Sequence, residues 1–351
     1  MSKDNKHNKL HHPFLIYTFL NIYNNMTKPI SELGEKELIK ILLDKRDEML
    51  PPTHHIIHES YSDDAALLFN KSRYTVVSTD MLIQHTHFPR SMTKYQMGKK
   101  VVTVNISDII AMNATPTAIL VSMALPPYMS LDEYLQLVNG ILDACQEYDI
   151  KLIGGDINQN DEIILSGTSI GEIDENIKLQ SNIKENNLIA VTGELGTPAA
   201  ALDLIKNHEE DPEIVKTLLE PELPIESFKK IRKHSDMITS LTDITDGLAS
   251  ELGQLRKKNT KIGFEIIYEK LPYNPRIKKI ADDNHKTLEE YLLHFGEDFQ
   301  LLLTLDEKKY EKNPIKELHI IGKTNNTGKI TIKKNDKTEK LNLDGYEHLK
   351  N

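Results

Sequence analysis

The chain lacks tryptophan and has a single cysteine, Cys145, in 351 residues. One cysteine excludes an internal disulfide framework and any metal site built from clustered cysteines, and it fits a reducing cytoplasm. The formal net charge is −10 and no basic stripe stands out, which argues against general binding to nucleic acid phosphates. We therefore expect a cytoplasmic protein that does not bind nucleic acid.

Long apolar runs are also absent. The run Phe14–Leu20 follows several lysines and weakly resembles a secretory signal, but it is too short to span a bilayer and no small-residue cleavage site follows it. A second methionine, Met26, precedes a predicted helix, Ser31–Leu50. We predict that residues 1–25 are a disordered extension or a misannotated start, and we expect no contact with a membrane.

Hydrophobic residues make up 39% of the chain and charged residues 27%, as in ordinary globular proteins. A polar stretch at 176–187 predicts a boundary between an N-terminal domain, 26–175, and a C-terminal domain, 176–351. Both mix strands and helices, which indicates an α/β or α+β fold. The predicted strands are Tyr74–Ser78, Ala118–Ala124, Lys151–Ile153, Ile163–Ile170, Leu188–Thr192, Met237–Thr242, Phe264–Ile267, Phe299–Leu305 and Leu318–Ile321. The predicted helices are Ser31–Leu50, Gly98–Met112, one that begins at Ser130, Pro198–Lys206, Leu248–Lys258 and Leu288–Phe295.

The helix at Ser130 has the clearest pattern. Ser130 and Glu133 have the spacing of a capping box, and an apolar stripe leads from Leu131 to Cys145. Cys145 is therefore predicted to be a buried apolar residue rather than a catalytic one.

Short acidic motifs recur where predicted elements begin or end. They are Ser62-Asp63-Asp64, Ser78-Thr79-Asp80, Asn105-Ile106-Ser107-Asp108, Gly154-Gly155-Asp156, Asp243-Ile244-Thr245-Asp246-Gly247 and Gly296-Glu297-Asp298. Any one of them is most simply a helix cap or a turn. Mg²⁺, however, is held by a few carboxylates together with substrate phosphates, so the set predicts a nucleotide–magnesium site.

Individual motifs are less specific. Asp63 and Asp64 cannot point the same way along a strand, so one is available for metal while the other makes structural hydrogen bonds. Gly155 allows the backbone to approach a phosphate closely. No Walker A sequence and no GxGxxG motif occurs. The histidines at 54, 55 and 58 fit no zinc pattern, and we interpret them as surface or packing residues.

In this order the motifs resemble the thiamine-monophosphate kinase family of the aminoimidazole-ribonucleotide-synthetase-like superfamily. The matching stretches are Asp63–Leu67, Ser78–Phe88, Val104–Pro116, Ile153–Asp156, Val191–Ala200, Asp243–Leu248, Gly296–Leu303 and Gly345–Leu349. Several of them also occur in sister families, but His87-Phe88 and Gly345-Tyr346-Glu347-His348 favour the kinase.

The resemblance implies a two-domain fold in which an N-terminal mixed sheet forms a homodimer and a C-terminal α/β domain completes the site. The implied reaction is ATP plus thiamine monophosphate giving ADP plus thiamine diphosphate, by direct in-line phosphoryl transfer with several Mg²⁺ ions. The acceptor phosphate is already a nucleophile at neutral pH, so no catalytic general base is expected.

Residue roles are implied at matching positions. The implied metal ligands are Asp64, Ser78, Thr79, Asp80, Asp108, Asp156, Asp243 and Asp246. The implied nucleotide contacts are Gly155, Asp156, Thr245 and residue 180. The implied thiamine monophosphate contacts are His87, Glu297 and Tyr346, the last by stacking on the substrate's aromatic part.

The chain departs from the family pattern at several places. Ser62 replaces a glycine, Asn186-Asn187 replaces a Gly-Asp turn, Thr245 replaces a serine, and Tyr346 replaces a tryptophan. An arginine expected to contact the ATP phosphates aligns with Gln180, which removes a charge-assisted contact. Lys178 and Lys184 are the nearby lysines available to replace it.

Other functions remain as alternatives. A hydrogenase-maturation carbamoyl dehydratase needs a C-terminal cysteine, and selenophosphate synthetase needs an early cysteine or selenocysteine, both of which are absent here. Aminoimidazole ribonucleotide synthetase is disfavoured by His87 and the C-terminal motif. A catalytically weak nucleotide-binding sensor would explain Gln180. It would not explain the carboxylates, whose mutual repulsion is costly without metal.

Overall fold

The computed structural model describes residues 30–49, 56–58, 63–70, 73–174 and 176–343, with backbone only at 56–58 and residue 70. The described residues divide into two units, residues 30–49 and the described residues between 56 and 343. In the first unit a one-turn 3-10 helix, Ile30–Glu32, is followed by α1, Glu35–Met49, close to the predicted Ser31–Leu50. The predicted extension at 1–25 lies outside the described residues. Nowhere in the described ranges is a helix long and apolar enough to cross a membrane.

The described strands of the N-terminal half form a seven-stranded sheet in the order β1-β2-β3-β7-β4-β5, with β6 also paired to β4. Their bounds are β1 Ile56–His58, β2 Ala66–Asn70, β3 Arg73–Ile83, β4 Thr115–Leu125, β5 Lys151–Gly154, β6 Ile157–Gln159 and β7 Ile164–Ile173. Neighbours are antiparallel, except that β5 and β6 both run parallel to β4. β5 and β6 together therefore form one edge of the sheet.

Three helices accompany this sheet: α2 Gln84–His87, α3 Lys94–Ala111 and α4 Leu131–Glu147. The capping box at Ser130 and Glu133 is confirmed, and Cys145 is buried as predicted. α3 begins four residues before the predicted Gly98, because Thr93 and Gln96 form a second capping box.

The described strands of the C-terminal half form another seven-stranded sheet, in the order β14-β13-β10-β12-β8-β11-β9. Its strands are β8 Asn187–Val191, β9 Ile238–Asp243, β10 Gly263–Ile267, β11 Leu301–Asp306, β12 His319–Asn325, β13 Ile330–Lys334 and β14 Lys337–Lys340. Its helices are α5 Thr197–Asn207, α6 Pro212–Leu219, α7 Ile225–Lys233, α8 Leu248–Lys258, α9 Arg276–Asp283, α10 Leu288–His294 and α11 Glu307–Lys312. The two sheets and their helices confirm the mixed α/β class.

The apolar core is continuous between the two sheets. One cluster of buried side chains contains Val101 and Ile106 of α3 together with Leu241 of β9 and Leu303 of β11. The first sheet ends at Ile173 and the second begins at Asn187, so the sheets change where the sequence boundary was placed. Because the core joins them, the boundary at 175/176 stays a prediction.

Candidate functional site

α3 packs against β3 of the first sheet and against β9 of the second. This packing gathers carboxylates that are far apart in sequence. We call them the acidic cluster: Asp64, Asp80, Asp108, Asp243 and Asp246. Each member repels at least one other electrostatically. Predicted metal ligands from both halves of the chain therefore meet at one place.

Two buried serines hold carboxylates of the acidic cluster by hydrogen bonds. Ser78 Oγ donates to Asp108 Oδ2 at 2.5 Å, and Ser107 Oγ donates to Asp243 Oδ2. Asn105 of α3 accepts the backbone N–H of Asp80 at 3.0 Å. One turn of α3 therefore fixes β3 and the end of β9 on either side of the cluster.

Asp63 and Asp64 have different surroundings, although they lie in a bend before β2 rather than on a strand, so strand alternation does not apply to them. Asp63 accepts hydrogen bonds from the backbone N–H groups of Asp64 at 3.1 Å and Gln180 at 3.0 Å. Asp64 Oδ1 accepts from Gln180 Nε2 at 2.7 Å and from Thr242 Oγ1 at 2.9 Å. Its other oxygen, Oδ2, is buried and has no hydrogen-bond partner among the residues that the structure describes.

Burial is the main cause that raises the pKa of Asp64, Asp108 and Asp243, and repulsion from neighbouring carboxylates adds to it. The pKa of Asp243 is raised to about 6. The pKa values of Asp64 and Asp108 also lie well above the ordinary range. Hydrogen bonds from the serines, Gln180 and Thr242 oppose these shifts without cancelling them. A bound cation would relieve the repulsion.

The donor set fits a hard divalent cation that also binds phosphate. The side-chain donors are carboxylate and hydroxyl oxygens, which Mg²⁺ prefers, and Asp64 Oδ2 is a buried oxygen without another partner. Among the described residues no group of three or more His, Cys, Asp or Glu is spaced as a complete metal site.

The side chains of Thr79 and Asp156 are not brought into the acidic cluster. Strand alternation places Thr79 on the opposite face of β3 from Ser78 and Asp80, where its hydroxyl donates to Gly167 O at 2.7 Å. Asp156 is exposed at the edge formed by β5 and β6, and it accepts a hydrogen bond from Asn158 at 2.8 Å. Thr79 would have to reach a cation of the cluster through its backbone.

Gly155 is required by packing against β4. Its φ is +151°, and a Cβ there would lie 1.9 Å from Val121 O. Met123 N donates to Asp156 O at 2.8 Å, which holds the turn against the same strand. This contact explains the glycine by itself, and its nucleotide contact stays a prediction.

The buried Lys100 forms an ion pair with the partly exposed Glu297 and a hydrogen bond to His87, and so links two of the predicted substrate residues. Lys100 of α3 is 1% exposed, and its Nζ donates to Glu297 Oε2 at 2.5 Å and to the backbone oxygen of His87 at 3.0 Å. The ring of His87 is held by Ile83 N, which donates to Nδ1 at 2.9 Å. Lys100 thus ties Glu297 to His87.

Glu297 sits in a strained loop. Gly296, Glu297 and Phe299 have φ angles of +92°, +59° and +48°, and a Cβ on Gly296 would lie 2.2 Å from Thr245 O. Glu297 N donates to Thr245 O at 2.8 Å, and Phe299 N donates to Ile244 O at 3.0 Å. The loop is thereby fixed to the turn after β9. Non-glycine residues with positive φ are costly and cluster at functional sites.

The remaining predicted residues fall into two groups. Thr245 and Asp246 lie in the turn after β9, where the backbone N–H of Asp246 donates to Glu251 Oε1 at 3.3 Å. Tyr346, with the rest of the C-terminal motif, lies outside the described residues, as does Ser62.

Sequence reasoning assigned no role to Lys100, Ser107, Thr242 and Lys258, although it quoted Ser107 within an acidic motif. Lys100 falls on the helical stripe that includes Val104 and Asp108, so periodicity contained a signal for it. Ser107 and Thr242 directly precede quoted aspartates. Lys258 carried no signal.

The expectation that Lys178 or Lys184 replaces the missing arginine at the ATP phosphates stays a prediction. Lys178 is 8% exposed and interacts electrostatically with Asp236 and Lys309, and neither lysine hydrogen bonds to Gln180. The lysine that does is Lys258, whose Nζ donates to Gln180 Oε1. The end of α8 folds back onto residue 180, a contact that sequence distance conceals.

Known proteins share this architecture. Residues 62–173 match the family described as AIR synthase related protein, N-terminal domain. The chain is 36% identical over 297 residues to the thiamine-monophosphate kinase of Pyrococcus abyssi, covering 84% of this chain and 92% of that protein. It is 32% identical over 323 residues to the thiamine-monophosphate kinase of Pyrococcus horikoshii, covering 92% of this chain and 98% of that protein.

A solved structure described as AaThiL complexed with AMPPCP and TMP has a TM-score of 0.80 and 28% sequence identity to this chain, covering 92% of this chain and 99% of that one. Fold, motif order and identity over nearly the full length of these relatives agree with one another. The resemblance drawn from the motifs is confirmed, and the chain belongs to the thiamine-monophosphate kinase family.

Proposed function

We propose that the chain transfers the γ-phosphoryl group of ATP to thiamine monophosphate and releases ADP and thiamine diphosphate. Family membership supports the reaction, and AaThiL was solved with AMPPCP, an ATP analogue, and TMP. Within this chain, the observation that carries the proposal is the acidic cluster with its unpartnered Asp64 Oδ2. A site of this kind holds a polyanion through cations rather than directly.

The acidic cluster and Ser78 would hold several Mg²⁺ ions, with further contributions from the backbone of Thr79 and from Asp156. When bound, the ions neutralise the phosphates of both substrates. The contribution of the protein is positioning, because the acceptor phosphate needs no general base. The hydrogen bonds from Ser78, Ser107 and Gln180 keep the carboxylates in place before substrates arrive.

The other end of thiamine monophosphate would lie at Glu297, His87 and Tyr346. Lys100 and Asp108 are eight residues apart on α3, about 12 Å along the helix axis, which separates Glu297, held by Lys100, from the acidic cluster. The phosphate would then lie at the acidic cluster and the ring system at Glu297. Lys100 keeps the Glu297 carboxylate in one position, where it accepts hydrogen bonds from the substrate.

We also propose that two copies associate through the first sheet. All described residues of β5 and β6 are exposed, including Ile153 at 56% and Ile157 at 54%. An apolar open edge is a surface that proteins usually cover. Ile153→Lys should therefore convert a dimer to a monomer in light scattering. Leu131→Lys, at another exposed apolar position, is the control. A wild-type monomer would contradict this assignment.

The unpaired, buried Cys145 is in keeping with a cytoplasmic location.

The proposed kinase activity is tested by turnover of Asp80→Asn, which should fall at least about a hundredfold because a carboxylate of the acidic cluster is lost. Asp282→Asn, at an exposed position on α9, should keep wild-type turnover. Unchanged turnover in Asp80→Asn would refute the site.

A further inference from the structure

Gln180 occupies a position where the family resemblance places a phosphate-binding arginine, and both of its side-chain N–H donors are already used. Nε2 donates to Asp64 Oδ1 at 2.7 Å and to Thr242 Oγ1 at 3.0 Å. The amide oxygen accepts from Lys258. An amide nitrogen has two protons to donate, so this side chain has none left for a phosphate. It is also 4% exposed and uncharged.

The backbone of residue 180 is equally fixed. Its N–H donates to Asp63 Oδ2 at 3.0 Å, and its oxygen accepts from Asn259 Nδ2 at 2.8 Å. Asn259 directly follows Lys258, so the end of α8 is held to residue 180 by two neighbouring side chains. The position of the Lys258 ammonium group is therefore determined by the same contacts that order the acidic cluster.

The ammonium group of Lys258 has N–H donors that make no hydrogen bond to the described residues. An ammonium group donates three hydrogen bonds, and its one hydrogen bond in the described structure is to Gln180. Asp63, Asp64 and Glu251 interact with it electrostatically, yet no carboxylate among the described residues forms an ion pair with it. A half-buried cation without an ion pair is costly, and its place beside the acidic cluster is where an anionic ligand would approach.

We propose that Lys258 supplies the positively charged contact to the nucleotide phosphates, and that Gln180 orients it. The inference rests on the proposed function only for the place of the nucleotide. Lysine binds phosphate as a compact point charge. With glutamine in place of arginine at residue 180, the positive charge is supplied by residue 258, and the Gln180 amide keeps its hydrogen bonds to Asp64 and Thr242.

Calorimetric titration of the full chain with AMPPCP and Mg²⁺, without thiamine monophosphate, tests the inference. Lys258→Met should weaken binding at least tenfold, which corresponds to about 1.4 kcal/mol. Lys257→Met, at the exposed neighbouring position, should stay within twofold of wild type, and so should Lys258→Arg. Wild-type affinity in Lys258→Met would overturn the proposal.

A second background separates phosphate binding from a purely structural role. In Gln180→Arg the cation is already present at residue 180, so adding Lys258→Met should cost less than threefold in affinity. If the cost stays tenfold in both backgrounds, Lys258 acts through the fold and the proposal fails. Should Lys258→Met not fold, Lys258→Gln in the two backgrounds gives the same comparison. Turnover of thiamine monophosphate by the wild type tests the proposed function separately, because these affinity ratios need no turnover.

Discussion

Replacing Asp243 by asparagine should make the metal-free protein more stable while abolishing its activity. Asp243 is 3% exposed, and its pKa is raised to about 6 from the ordinary 3.8, mainly by burial and further by repulsion from Asp80 and Asp246. The difference of about 2.2 between these values corresponds to about 3 kcal/mol at 1.36 kcal/mol per pKa unit. Asparagine removes the charge and can still accept the hydrogen bond from Ser107.

The direction in which stability changes with pH follows from proton binding by Asp243. Because the folded state holds the Asp243 proton more tightly than the unfolded state, wild-type stability falls as pH rises from about 4 to about 6. Well above pH 6, where Asp243 is ionised in the folded state too, the wild type has lost the whole of this stability. The stabilisation by Asp243→Asn should therefore approach 3 kcal/mol at pH 7.5 and be about half as large at pH 5.

Urea unfolding in EDTA at the two pH values measures both effects. Addition of Mg²⁺ and AMPPCP should then stabilise the wild type and leave Asp243→Asn nearly unchanged, since ligand binding to the folded state stabilises it. An Asp243→Asn variant that is less stable than the wild type in EDTA at pH 7.5 would refute the reasoning.

Two further predictions concern other parts of the site. Lys100→Met should raise the KM for thiamine monophosphate roughly tenfold with little change in the KM for ATP, because Glu297 loses its charge-assisted hydrogen bond. Lys99→Met is the control, and an equal rise in both KM values would contradict the role of Lys100. Gly155→Ala should destabilise the protein by about 3 kcal/mol because its Cβ would meet Val121 O at 1.9 Å. Gly154→Ala, whose Cβ would lie 3.6 Å from Leu120, should change urea unfolding little, and equal effects of the two variants would refute this account of Gly155.

Local patterns in the sequence predicted much of the fold. The capping box predicted at Ser130 is present, because caps depend on residues three positions apart. The strands β1, β2, β6, β13 and β14 and the helices α2, α6, α7, α9 and α11 were not identified. They are short, and their place is set by packing rather than by their own periodicity.

For the site, the sequence predicted the members of the acidic cluster and named Ser78 and Gln180, but it gave no role to Ser107, Thr242 or Lys258. The carboxylates stand in recognisable motifs. The contacts of Lys100 with Glu297 and of Lys258 with Gln180 join residues 197 and 78 positions apart. Such contacts depend on how α3 and α8 pack, and a sequence pattern of one chain does not contain that information. Strand alternation, by contrast, could have predicted that the Thr79 side chain lies on the opposite face of β3 from Ser78 and Asp80.

The most direct measurement is product formation by the wild-type chain from ATP and thiamine monophosphate, with Mg²⁺ or with EDTA. The account predicts ADP and thiamine diphosphate in equal amounts with Mg²⁺, and neither product in EDTA. Hydrolysis of ATP to ADP without thiamine diphosphate, or product formation that does not need a divalent cation, would contradict it.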